Sequence, residues 1–352
     1  MMSLLLLLLG CSAELERLPV TLHAEQVTEG YILGALLGEG SSLFIADRDG
    51  YILWRHDGTP GILTPVVAPA RDGEHLLYNE FAEDRTVDIG AVNRLGIDGG
   101  LTESIRTESA HHTFTELPDG TVAYLAVDVR ETEEYGGVVG DRLLEVHPDG
   151  TVTQVFSVWE HFEIVEHLNW NSNHYPQGHD WTHGNALYYN HEAQTYLISF
   201  RNISAVIEVD RATGKVVRQF GGEDRRYTVG GDGFLYQHGV HWTEDGTLLM
   251  TTSGAGGDAD GLETWAVEYA VDSERRQLTE VWSYGRGEGL HARALGEAHR
   301  LPGGNTLVNW GTEGLLREIA PNGDVLWEME GSTDEEFFGR TWFLKDISAF
   351  LD

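Results

Sequence analysis

The chain has a single cysteine in 352 residues, so no intrachain disulfide can form. Basic residues are also scarce: 23 Lys and Arg against 57 Asp and Glu leave a formal charge of −34. Phosphate-bearing partners would be repelled by that field, which argues against nucleic acid and an anionic membrane surface. An anionic small molecule would need local arginines and histidines to draw it in. The apolar run at residues 1–9 is far shorter than the roughly 20 residues that span a bilayer. No His-Glu-x-x-His motif is present, so nothing in the sequence marks a metalloprotease-type zinc site.

The one cysteine has a telling position. The apolar run ends Leu8-Leu9-Gly10-Cys11-Ser12, the pattern of a bacterial lipoprotein signal peptide cut before a cysteine that then receives lipid. The expectation is export to the periplasm or cell surface, with membrane attachment only through lipid on Cys11. The leader lacks the usual positive residues at its start.

Glycine is plentiful: 43 residues, many in Asp-Gly or Asn-Gly pairs that favour tight hairpin turns. Strand–turn–strand units recur over residues 42–55, 72–105, 112–156, 183–220, 238–282 and 299–327. Their outer hairpins resemble one another, as in Asp49-Gly50-Tyr51-Ile52-Leu53-Trp54, Thr213-Gly214-Lys215-Val216-Val217-Arg218 and Asn322-Gly323-Asp324-Val325-Leu326-Trp327. Units of about 50 residues fit four-stranded propeller blades. The reading is all-β: a six-bladed β-propeller over residues 41–352 with its active site in the central channel. Residues 1–11 are the signal peptide, and 12–40 a short extension and the start of the propeller. A seven-bladed or incomplete ring is the alternative, since the first two units are the least regular. Trp54, Trp282 and Trp327 sit at matching outer-strand positions and read as core. Short helices are expected at 158–168 and 334–350. Long connections at 159–180 and 223–237 read as walls over the channel mouth. The Gly-rich stretch 254–261 lacks the strand-to-helix context of a phosphate-binding loop.

Three histidines stand out. His112 and His238 each lie eight residues before a turn glycine, Gly120 and Gly246, and His183 lies eight before His191 within its own turn. One register in three blades implies imidazoles converging on the channel. His299 lies five residues before Gly304, an odd spacing that puts it on the other strand face. His174, His179 and His241 read as loop or supporting groups.

The segment around these histidines reads His179-Asp180-Trp181-Thr182-His183-Gly184-Asn185, then Ser199-Phe200-Arg201, an Asp210 to Thr213-Gly214 turn, Gly221-Gly222 and Gln237-His238. In that order it resembles the bacterial arylsulfate sulfotransferase family, over roughly residues 40–345. The resemblance implies a six-bladed propeller that moves a sulfuryl group from a small aromatic sulfate ester to a phenol acceptor. It implies a sulfated histidine, no nucleotide donor and no cofactor. Carried over by motif, His238 is the nucleophile, and His183 and Arg201 bind the sulfuryl oxygens. His112, or less favourably His111, completes the cluster. Asp180 and Asn185 belong to the substrate-binding set, with Arg130 a weaker substitute for Arg201. The chain departs from the family in Gly239, where Asp is usual, and in Thr252-Ser253-Gly254, where Asp-Asn-Gly is common. Two other functions stay open: a metal-binding propeller hydrolase, and a surface-anchored propeller that binds without catalysing. Oligomeric state is not readable.

Overall fold

Alternating apolar and polar residues between Gly-rich turns leave each hairpin with one face to bury, and six sheets stacked in a ring do this. The computed structural model describes residues 15–82, 88–166, 170, 175–223, 226–230, 233–254, 262–333 and 335–350. Blade 1 holds Tyr31–Leu37, Ser41–Asp47 and Ile52–Asp57 behind an inner strand, Phe337–Leu344, from the end of the chain. Blade 2 runs Val67–Pro69, His75–Ala82, Ala91–Gly96 and Leu101–Arg106. Blade 3 runs Ala110–Glu116, Val122–Thr132, Gly136–Val146 and Val152–Ser157, and blade 4 Gly184–Asn190, Thr195–Phe200, Ala205–Asp210 and Val216–Gly221. Blade 5 runs Leu235–Trp242, Leu248–Ser253, Thr264–Asp272 and Gln277–Tyr284, and blade 6 Gly296–Arg300, Thr306–Trp310, Leu315–Ile319 and Val325–Glu330. The early strand Val20–His23 joins the outer edge of blade 6, so the ring is closed at its inner and its outer rim.

The core is distributed. One buried apolar cluster fills each junction between neighbouring blades, such as Leu187, Tyr196 and Ile198 against Leu125 and Leu143 between blades 4 and 3. The scarce arginines act as clamps beside these clusters. Arg211 of blade 4 reaches Glu145 of blade 3 (2.7 Å), Arg300 of blade 6 reaches Glu268 of blade 5, and Arg48 of blade 1 reaches Glu318 of blade 6. Arg48 and Arg300 also lie over the rings of Trp327 and Trp282 (3.8 and 4.5 Å). Trp327 is fully buried and Trp54 partly so.

Two expected helices are absent. Of the expected 158–168 helix, the described residues give only the single turn Val158–Glu160, with residues 162–166 irregular. The closing segment is a strand, in which buried Thr341 and Phe338 pair with Gly34 and Leu36 across a bulge; only Ser348–Phe350 turns helically. Among the described residues no helix is long and apolar enough to cross a membrane.

Candidate active site

First strands of adjacent blades touch around the axis and carry the polar groups. In blade 4 the backbone at His183 is left-handed (φ 52°), and His112 of blade 3 is the same (φ 55°). Non-glycine residues hold this strained conformation only where their surroundings enforce it. The two rings meet edge to face, 4.7 Å between centroids. Asp180 Oδ2 lies 2.6 Å from His183 Nδ1; a carboxylate accepts, so Nδ1 carries the proton. His112 Nδ1 lies 2.8 Å from Nδ1 of His111, a buried residue whose Nε2 is 2.8 Å from Asp141 Oδ1, off the line of a good hydrogen bond. Asp141 also accepts from Thr182 Oγ1 (2.5 Å) and the Gly184 amide (2.7 Å), which ties the approach to blade 4 onto blade 3. Tyr175 stands against both His111 and His183.

His238 is set by its neighbours. Gln237 is fully buried, and its Nε2 donates to Ser199 Oγ (2.9 Å) and to the carbonyls of Phe200 and Ala205 (both 3.1 Å). This anchors the first strand of blade 5 to blade 4. The next residue, His238, then meets the carbonyl of Gly296 in blade 6 at 3.0 Å through Nδ1. A carbonyl only accepts, so Nδ1 is the protonated nitrogen and Nε2 keeps its lone pair. Burial, with the charges of Arg340 and Arg201, pushes this histidine down to about 4 against the opposing pull of Glu297. His238 is therefore neutral near pH 7. It is enclosed by protein yet only partly buried, so the channel reaches it. Arg201 donates through Nη1 to Asn202 Oδ1 (2.9 Å) and lies over the Tyr236 ring at 5.1 Å. The backbone amide of Arg201 donates to the His183 carbonyl (3.1 Å), so the two side chains start from paired strands.

The matched motif now has a fold and a geometry around it, and the arylsulfotransferase (ASST) family matches the chain over residues 37–344. The chain belongs to that family. The fold is shared beyond the family: a Bacteroides caccae protein of unknown function superposes with a TM-score of 0.58 at 16% identity, covering 90% of this chain and 100% of that one. A periplasmic gluconolactonase from Pseudomonas aeruginosa gives 0.51 at 14% identity, over 90% and 99%. At these identities the likeness is one of fold alone. No curated protein matches the chain.

The three histidines do not align residue for residue. Asn185 Nδ2 donates to the Gln237 carbonyl (2.9 Å) as His238 does to Gly296, so Asn185 holds in blade 4 the place His238 holds in blade 5. His183 lies two residues earlier. By the same count from Ser109 and His183, whose carbonyls accept equivalent bonds from Val127 and Arg201, His111 is the blade 3 counterpart. Register shifts in all three inner strands explain the mismatch, because one extra residue reverses which face a side chain takes. Arg130 does not join the cluster; it pairs with Asp128 (3.0 Å) and lies over Trp159 with half its side chain exposed. Asp180 and Asn185 are buried supports of His183 and of blade 5.

Several site residues escaped the sequence reading. Glu297 of blade 6 matches His238 and is buried, accepting from Thr341 and Arg340. His299 follows two residues on, hence on the same face, 3.1 Å from Glu297 and stacked on His241 at 4.9 Å. Its expected place on the other face was wrong, because the spacing to Gly304 counts through a shorter strand than those of blades 3 and 5. The Glu297-x-His299 alternation was the available signal. His179 stacks on Trp170 (4.7 Å). Cys11, His174 and residues 255–261 lie outside the described residues. Among the described residues no group of three or more His, Cys, Asp or Glu is placed to hold a metal ion.

Proposed function

We propose that this arylsulfotransferase transfers a sulfuryl group from a phenolic sulfate ester to a phenol, without a nucleotide donor, through a sulfated His238. The observation that carries this is the state of His238: neutral, with Nδ1–H committed to Gly296 and Nε2 free among the described residues. In the first step Nε2 attacks sulfur, the N–S bond forms and the S–O bond to the aryl group breaks. Protonated His183, held by Asp180, delivers its Nε2 proton to the departing phenolate. In the second step neutral His183 takes the proton of the acceptor phenol. Its oxygen attacks sulfur, the S–N bond breaks and His238 is regenerated. Splitting one displacement into two lowers each barrier. Arg201 offers a planar fork to the sulfuryl oxygens, and His112, against His183 at 4.7 Å, completes the cluster. Tyr175 and Tyr236 supply aromatic walls suited to a phenyl ring.

Incubation with a chromogenic aryl sulfate and phenol tests this. Release of the chromophore with formation of phenyl sulfate is expected without any nucleotide sulfate, and strict dependence on the nucleotide would defeat the reading. We also propose that the protein is exported and lipidated on Cys11, from the pattern at residues 1–12. Lipid labelling of membrane fractions checks it, and a soluble protein with unmodified Cys11 would rule it out.

A further inference from the structure

Arg340 lies on the closing strand of blade 1, in the segment read from sequence as helical. It has two fixed partners on different blades. Its Nε donates to Glu297 Oε2 of blade 6 (3.1 Å), and its Nη1 to Thr113 Oγ1 of blade 3 (3.1 Å). Glu297 directly follows Gly296, whose carbonyl holds His238, and Thr113 directly follows His112. The guanidinium thus bridges the nucleophile's side of the channel and the His112–His183 side. Its remaining nitrogen, Nη2, has no partner among the described residues, and 13% of the side chain stays exposed.

The carboxylate that faces this cation is shared with other donors. The Glu297 carboxylate is shared among Arg340, the Thr341 amide and hydroxyl (3.2 Å to the latter), and His299. Burial alone would raise it, but His299, Arg340 and the Thr341 amide hold it at about 2. By contrast, Arg48 and Arg300 spend their charge on glutamates of the neighbouring blades. A guanidinium with two nitrogens anchored and the third open in a channel is preorganised for an anion that arrives there.

We infer that Arg340 is a second sulfuryl-binding catalytic residue, donating through Nη2 to an oxygen of the transferring group while Arg201 holds another. This rests on the transfer reading above, and its test can be separated from it. An aryl sulfonate resembles the donor, but its carbon–sulfur bond keeps the group from being transferred. Titration of wild type, Arg340→Lys and Arg340→Gln with 4-nitrobenzenesulfonate should show both variants binding at least roughly tenfold more weakly. Single-turnover sulfation of His238 should slow by about 100-fold, the usual loss for one preorganised donor. A lysine does not replace the fork, so Arg340→Lys should melt with the wild type yet fail in both assays. Sulfonate affinity and sulfation rate within twofold of wild type in Arg340→Lys would overturn the inference. If that variant melts early, Thr113→Val releases only one anchor: weaker sulfonate binding in a folded protein supports the role, and unchanged binding refutes it. If wild type never sulfates His238, the transfer reading falls, and the sulfonate titration still decides whether Arg340 holds the anion.

Discussion

A backbone carbonyl decides which nitrogen of His238 is free, and burial decides that the ring is neutral. Neither depends on another histidine. As the proposed nucleophile, His238 should accordingly stay competent down to about pH 4, so any loss of rate at higher pH values belongs to the group that handles the phenol proton. Arg201 supplies a second residue-scale prediction. Arg201→Lys should cut turnover by roughly 100- to 1000-fold, since a point charge cannot reproduce a fork on two oxygens. Its melting temperature should match wild type, because lysine keeps both the positive charge and an apolar stem beside the Tyr236 ring. A lower melting temperature with normal activity per folded molecule would make Arg201 structural.

At the scale of strands, the site is built by irregularity. Gly239 follows His238 with φ 63°, and a Cβ there would come within 2.5 Å of Glu297 Cβ. The aspartate usual in the family therefore does not fit against this blade 6. Gly239→Ala should displace His238 and lower stability by about 1–3 kcal/mol, the range for enforced backbone strain; activity and a denaturant titration check it, and a fully active, equally stable variant would contradict the packing. Bulges also limited what could be read in advance. The six hairpin units, the outer tryptophans and the histidine-bearing strands were legible, because turn glycines and strand alternation are local. Equal spacing to a turn was misleading, because bulges and turn lengths break the parity that spacing assumes. His111 and Asn185 emerged as the counterparts of His238 only through their partners on the next blade. Glu297 and Arg340 were invisible for another reason: their meaning comes from contacts across the ring, over 43 positions of sequence in one case and 227 in the other.

The whole molecule depends on closing the ring with its last long strand. Phe338 is fully buried on that strand, 6.1 Å from Phe44. Phe338→Ala should cost about 3–5 kcal/mol, the usual loss for a buried phenylalanine, and should loosen blade 1 together with Arg340. Thermal melts test it, and a change below 1 kcal/mol would mean closure rests elsewhere. Acid sensitivity is also a property of the assembled channel. Burial lowers His241 to about 3, with His299 adding to the effect. Between pH 6.5 and about 3 the unfolded chain takes up a proton that the native state refuses, so this group removes stability as pH falls. The high net negative charge acts in the other direction, since acid relieves its repulsion. His241→Gln isolates the histidine: its melting temperature relative to wild type should rise as pH drops from 7 to 4. A constant difference would show that His241 titrates normally in the fold.

The central claim is that His238 carries the sulfuryl group, and rapid-quench mass spectrometry with an aryl sulfate and no acceptor tests it most directly. The account predicts a gain of roughly 80 daltons, the mass of SO3 on a covalent nucleophile, on the peptide containing His238. The adduct should vanish when phenol is added and be absent from His238→Ala. An unlabelled enzyme turning over by sequential kinetics, or a label on His112 or His183 that persists in His238→Ala, would contradict it.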